Sequence, residues 1–338
     1  MYTKKVKNKW LIVTADNSPS RSLVIANTGP LPATLRPELE EAAGYARAEK
    51  AAATRLAYKS DFELFRSWCD TKCVSALPAD PEIVAAFLAA EANRGVKTST
   101  MGRRLAAIRY AHKLGGYEPP TNSEAVKATL RGIRRTAGSA PSRKTPATTD
   151  KVLAMVAEAG TNLKGIRDRA ILLLGFAGAF RRSELVALNI ADLEFCAGGL
   201  RVSIRKSKTD QEGLGATIAV ARGSITCPVD AVRAWIGAGC ISDGPLFRPV
   251  TRTGKVSARR LSARAVAEVV KAYARRAGFK AADFSGHSLR SGFLTSAAAR
   301  GASIFKMMDV SRHKSIETLR GYIRDSEMFR DHAGTGLL

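Results

Sequence analysis

Between Gly138 and Thr149 the chain carries Gly, Ser, Ala, Pro, Thr, Arg143 and Lys144, and no acid. Such a stretch stays extended and polar rather than joining a core. It divides the chain, and 338 residues suffice for one ordinary domain on either side. Residues 37–137 read as helical throughout, beginning with an Ala- and Glu-rich run from Leu39 to Ala53. Tyr58, Phe62, Phe65 and Trp68 recur every three to four residues, with Leu56 before them, which marks an amphipathic face. Pro81 after Asp80 opens another helix with a Val84, Phe87, Leu88 stripe. Thr98 or Ser99 is expected to cap the next, with Leu105, Ile108 and Leu114 inward, and Asn122-Ser123 opens a last one carrying Val126, Leu130 and Ile133.

Beyond the divide the pattern is mixed. Asp150 is expected to cap a helix through Ala157, and Lys164 to Ala177 reads as a long apolar helix. Leu200, Val202 and Ile204 alternate with Arg201, Ser203 and Arg205, a half-exposed strand, and Thr217 to Val220 is a second strand after a Gly-rich turn from Thr209 to Gly215. Val229–Trp235 and Ser262–Ala277 read as helices. The expected fold is mainly α with a small β-sheet: a helical unit over 37–137, a linker over 138–149 and an α/β unit over 150–325. Residues 1–36 are expected to be a basic, flexible arm in which Trp10-Leu11-Ile12-Val13 could add a short strand, and 326–338 a short tail.

Lysine and arginine number 54 against 30 acids, a net charge of +24. A surplus of this size calls for a polyanionic partner, nucleic acid or an anionic membrane surface. No apolar run approaches the ~20 residues that span a bilayer, and the N-terminus lacks a signal-like core. Nucleic acid and the cytoplasm are therefore expected, with no membrane role. Lys97, Arg103, Arg104 and Arg109 lie opposite one apolar stripe, and Lys127, Arg131, Arg134 and Arg135 opposite another, with few acids nearby. Five cysteines, odd in number and irregularly spaced, fit reduced thiols. Cys69 and Cys73 sit one helical turn apart without the second Cys or His pair a zinc site needs. Neither a metal nor a cofactor is expected.

The chemistry concentrates near the C-terminus: Ser285-Gly286-His287-Ser288-Leu289-Arg290, then Arg312-His313-Lys314, then Gly321-Tyr322-Ile323-Arg324. A tyrosine hydroxyl, with an ordinary pKa of roughly 10, is a poor nucleophile at neutral pH. It becomes useful where fixed donors stabilise the charge building on its target. Arginine suits a phosphodiester, because its planar fork donates two parallel hydrogen bonds and keeps its charge. The stretch therefore suggests attack by Tyr322 on a phosphate held by Arg290, His287 and His313.

His-x-x-Arg, then His, then Tyr nine positions later resembles the tyrosine recombinase (phage integrase) family. Phe180-Arg181-Arg182-Ser183-Glu184-Leu185 is similar to the family's first arginine box, and Lys208, within Arg205-Lys206-Ser207-Lys208-Thr209-Asp210, to its catalytic lysine on a β-turn. The C-terminal spacing, with Tyr322-Ile323-Arg324, most resembles the Cre recombinase branch, from which His313 departs because that branch has tryptophan there. The resemblance covers roughly residues 50–325. It implies a helical core-binding (SAM-like) domain, a catalytic domain, and a linker that lets the two close round DNA. The implied activity is site-specific recombination through a 3′-phosphotyrosine and a Holliday junction, by a homotetramer on two double-stranded DNA sites that is monomeric when free.

The resemblance makes Arg181 and Arg290 the phosphate clamp, Lys208 the acid for the leaving 5′-oxygen, His287 the acceptor of the tyrosine proton, His313 a phosphate donor, and Glu184 the residue that orients them. It puts Lys97, Ser99, Arg103, Arg104, Arg131, Arg134, Arg143 and Lys144 on DNA, and Arg264 on a base edge or a phosphate. Arg181 and Arg182 are adjacent, and the Ser-Glu-Leu that follows favours Arg181 as the inward one. The tail either docks on a neighbouring protomer or frays. Strand relaxation of the type IB topoisomerase kind, and DNA binding without catalysis, are the alternatives.

Overall fold

A computed structural model describes residues 2–6, 9–13, 33–138, 144–205, 210 and 215–327. Contacts divide the chain into two units, Met1–Pro141 and Ser142–Leu338. The first opens with an antiparallel hairpin of β1 (Tyr2–Val6) and β2 (Lys9–Val13), in which Tyr2 lies opposite Val13. The Trp10-to-Val13 run is thus a strand, with a partner that the sequence alone did not reveal. Five helices follow: α1 (Arg36–Ala48), α2 (Ala52–Thr71), α3 (Pro81–Asn93), α4 (Thr98–Leu114) and α5 (Glu124–Ala137).

Phe65 from α2, Val84, Phe87 and Leu88 from α3, Met101 and Ile108 from α4 and Val126 from α5 form the helical core. Phe65 and Trp68 both meet Phe87 edge-on, with centroids 5.1 and 5.4 Å apart, the geometry aromatic quadrupoles prefer. Buried His112 is fully satisfied: its Nε2 accepts from the Ala79 amide (2.9 Å) and its Nδ1 faces the Ile108 carbonyl (2.8 Å). Ser123 caps α5 as expected, accepting from the Ala125 amide. Three expectations are corrected. Leu56 and Leu114 are 69% and 45% exposed, because each lies near a helix end beyond its neighbours' reach. Neither Thr98 nor Ser99 caps α4; Lys97 holds that position without a side-chain bond.

The second unit runs α6 (Thr149–Ala157), α7 (Leu163–Ala177), α8 (Arg182–Ala187), β3 (Leu193–Cys196), β4 (Gly199–Ile204), β5 (Ala216–Ala221), α9 (Pro228–Ala238), α10 (Ala263–Arg276), α11 (Ser288–Ala299), α12 (Ile304–Ser311) and α13 (Ile316–Glu327). The sheet is antiparallel in the order β3-β4-β5, with Leu193 opposite Val202 and Ile204 opposite Ala216. Leu200, Val202 and Ile204 are buried and their alternates exposed, as the pattern predicts. Strand β3 went unread because four residues are too few to display alternation. Helix α7 is buried along most of its length, which explains its unbroken apolar run. Asp150 is not a cap: it lies in the first turn of α6 and bonds the hydroxyl of Thr148, the cap residue.

The expected linker is not extended to its end. The Thr145 amide donates to Asp283 (2.8 Å) and the Ala147 amide to Ser288 (2.9 Å), and Ala147 is buried in the core of the second unit. Gly292 on α11 permits this approach, since a Cβ there would lie 1.8 Å from the Ala147 carbonyl oxygen. Among the described residues no helix is long and apolar enough to cross a membrane. Gly292→Ala should lower the urea-unfolding stability of the chain by about 1–3 kcal/mol through overpacking, and an unchanged midpoint would mean that the 145–147 segment yields freely.

Candidate active site

The site is built where α7 ends. Gly178 terminates the helix and Ala179 turns into the left-handed region (φ 44°), so its carbonyl points back toward α11. That oxygen accepts from Arg290 Nη1 (2.7 Å) and from Arg312 Nη2 (3.2 Å). Arg181 then starts α8. Its amide donates to Glu184 Oε2 (3.0 Å) and its Nη1 to Oε1 (2.6 Å), so one buried carboxylate both caps the helix and holds the guanidinium. Arg182 is exposed, with its stem beside Gly286, and Arg181 is the one held by Glu184.

Helix α11 supplies the other wall. His287 precedes it, and Arg290, in its first turn, is 0% exposed. Arg290 Nη2 lies 3.1 Å from Nε2 and 3.3 Å from Nδ1 of His313, whose Nδ1 is also 2.8 Å from Ser311 Oγ. Tyr322 rides on α13, whose Leu319 packs with Leu294 and Ala298 of α11 and Met307 of α12. Its hydroxyl is 3.3 Å from His287 Nε2, and its ring stands 6.4 Å from that of His313. Tyrosine, both histidines and both expected arginines thus come together within one chain.

Charge in this space is lopsided. Burial, then Arg181 and Arg312, push Arg290 down from the usual guanidinium range. Partial enclosure, then Arg290 and Arg181, hold His287 below its ordinary value, and the same causes push His313 down to about 4. Burial alone would raise Glu184, but Arg312 first and then Arg181 outweigh it and keep the carboxyl below its usual range. The site holds neutral imidazoles beside fixed cations, a pairing that accepts a proton from a hydroxyl and draws in an anion. Among the described residues no group of three or more His, Cys, Asp or Glu could hold a metal ion.

The other expected residues are dispersed. Lys208 and Arg143 lie outside the described residues. Lys97, Ser99 and Arg134 are exposed, and Arg131 is exposed but bonded to Glu124. Arg103 grips buried Asp61 through two bonds, 2.6 and 3.0 Å. Arg104 corrects the sequence reading: its side chain is 12% exposed and paired with buried Glu91, so it serves the helical core rather than an outer face. Lys144 is exposed with Nζ on the Ala282 carbonyl (2.7 Å), and Arg264 is exposed in the first turn of α10, which Ser262 caps. Among the described residues of the site, Arg312 is a cation for which sequence reading held no role. No spacing signals it, because its place follows from backbone shape.

The family comparisons agree with this geometry. The Phage integrase family matches residues 147–328, and the phage integrase N-terminal SAM-like domain matches residues 45–114. The integrase/recombinase XerD homologue of Selenomonas ruminantium is 38% identical over 291 residues, covering 84% of this chain and 85% of that protein. Recombinase Cre of Escherichia phage P1 is 26% identical, covering 77% and 81%. Among solved structures, a lambda integrase dimer bound to a core site aligns with a TM-score of 0.59 at 16% identity, covering 87% of this chain and 77% of that one. XerH recombinase bound to its difH substrate aligns at 0.56 and 17% identity, covering 77% and 72%.

A helical unit followed by an α/β unit that gathers a tyrosine, two histidines and two arginines defines a DNA-cleaving and rejoining enzyme of the tyrosine class. The chain belongs to the phage integrase family, as a tyrosine-type site-specific recombinase.

The imidazole shift sets a pH dependence. Below 6.5 the unfolded chain takes up a proton that folded His313 refuses until about 4. Stability is therefore full above about 6.5 and declines as pH falls toward 4. Replacing His313 by Gln should flatten that decline in urea-unfolding midpoints. A decline of equal steepness in the variant would assign it to other groups.

Proposed function

We propose that strand exchange runs through a 3′-phosphotyrosine on Tyr322. Its Oη bonds to the scissile phosphorus, the bond from phosphorus to the 5′-oxygen breaks, and Lys208 supplies the proton that oxygen needs. His287 takes the tyrosine proton, and the observation that carries the reading is the 3.3 Å separation between its Nε2 and Tyr322 Oη. Arg181 and Arg290 grip the non-bridging oxygens, where their charge acts most strongly in the transition state because the site is enclosed. His313, bonded to Arg290 in the free chain, turns to a phosphate oxygen once DNA is bound. The phosphotyrosine keeps the energy of the broken ester, so a 5′-hydroxyl reverses the step without ATP. Two such exchanges, passing through a Holliday junction, recombine two double-stranded sites held by a homotetramer that is monomeric when free.

Exposed Lys97, Ser99, Arg131, Arg134, Lys144 and Arg264 supply phosphate contacts, and Arg143 of the linker supplies another. Arg103 joins them from a position fixed by Asp61. Arg264, exposed at a helix start, is the candidate for reading a guanine edge. The solved relatives named above were crystallised on DNA, which supports a duplex as the partner.

A nicked suicide site tests the chemistry. The chain should form a covalent DNA adduct that Tyr322→Phe abolishes. Tight binding without an adduct would instead make this a binder, and relaxation of plasmids lacking any site would make it a topoisomerase. On the same substrate, Arg181→Ala should slow cleavage by about 10²–10³-fold, the cost of losing one charge-stabilising donor. Arg182→Ala should mainly weaken binding, and the reverse result would overturn the register.

A further inference from the structure

Arg312 takes no part in the steps above, yet it is among the most enclosed cations of the second unit. It ends α12 in the left-handed conformation (φ 58°, ψ 38°), which non-glycine residues seldom adopt. Its side chain is 9% exposed. Nη1 donates to the Gly178 carbonyl (3.3 Å) and to the Val310 carbonyl (2.6 Å). Nη2 donates to the Ala179 carbonyl (3.2 Å) and to Glu184 Oε2 (2.7 Å), and the guanidinium lies 5.3 Å from the centre of the Phe180 ring. A guanidinium has five N–H donors. The four terminal ones are engaged, and Nε is buried without a partner among the described residues. Gripping a phosphate takes two parallel donors, and Arg312 keeps only its buried Nε–H, so it has no such pair to offer.

Its bonds instead join three segments: the end of α7, helix α8 through Glu184, and the turn that places His313 one residue further on. Glu184 Oε1 takes the Arg181 guanidinium, and Oε2 takes Arg312 beside the Arg181 amide. If Arg312 were absent, Oε2 would keep only the Arg181 amide and stand open to the Arg181 guanidinium as well, and the fork of Arg181 would close onto the carboxylate instead of presenting donors to a phosphate. We propose that Arg312 is a positioning residue, which fixes Glu184, and through it the direction of Arg181, while pinning the turn that sets His313 against Arg290. The role given to Arg181 and His313 once DNA is bound rests on the mechanism proposed above.

The test uses the full chain with R312G and R312K. Glycine accepts the left-handed backbone, so R312G is expected to fold, and its unfolding midpoint verifies this. R312K keeps the charge but cannot span four acceptors. On a nicked suicide site, R312G should bind DNA within about threefold of the parent, because it removes no phosphate contact. Its single-turnover cleavage should fall about 10–100-fold, as misplaced groups do, with R312K between. Cleavage within about twofold of the parent, or affinity lost in proportion to rate, would overturn the inference. A second arm needs no reaction: nitrogen NMR shifts of Arg181 Nε and the His313 ring should move in DNA-free R312G, and unchanged shifts would overturn the inference even with cleavage impaired. If the parent chain forms no adduct, the tyrosine mechanism falls and the NMR arm still decides the role of Arg312.

Discussion

Three guanidiniums, from Arg181, Arg290 and Arg312, converge on a space in which, among the described residues, Glu184 is the carboxylate that pairs with them. Enclosed like charges repel, and burial of each is costly. The arrangement persists because backbone carbonyls do part of the work of counter-ions. The Ala179 carbonyl takes bonds from Arg290 and Arg312, and those of Gly178 and Val310 take further bonds from Arg312. On the proposed mechanism the surplus of positive charge that remains is what a bound phosphodiester neutralises, so the tension in the free chain and the affinity for the reacting phosphate have a common origin.

The rest of the second unit serves this cluster. Helix α7 is buried because its far end must deliver the Gly178–Ala179 turn to a fixed point. Helix α11 comes close enough to present His287 and Arg290 because Gly292 lets the 145–147 segment lie flat against it. Helix α13 is tied to α11 by a small apolar cluster of Leu294, Ala298, Met307 and Leu319, with Tyr322 at its edge. A cluster so small holds the nucleophile less firmly than the main core holds the arginines, which suits a group that must turn from a histidine to a phosphate.

Much of the site was legible in the sequence because the reaction dictates residue types in a set order. On the proposed mechanism His287, Arg290, His313 and Tyr322 are a base, a clamp, a donor and a nucleophile, and an alternating strand and apolar helices announced the fold around them. Arg312 was illegible for a physical reason: its function depends on a left-handed backbone and on carbonyls whose direction is set by the positive φ of Ala179. Arg104 misled because a helical wheel gives an angle without saying that Glu91 on α3 waits there. Leu56 and Leu114 misled similarly, since periodicity does not say where a neighbouring helix stops. Lys208 lies outside the described residues and remains an assignment by resemblance.

The central claim is that nucleophile and clamp are assembled within a single chain. Mixing two inactive variants, Tyr322→Phe and Arg290→Ala, on one cleavable site tests it, once gel shifts show that both still bind. Assembly within one chain predicts that the mixture yields no covalent DNA adduct, because neither protomer owns a complete site. Recovery of an adduct on the Arg290→Ala chain would show that its tyrosine had entered the neighbour's clamp, and would contradict the account.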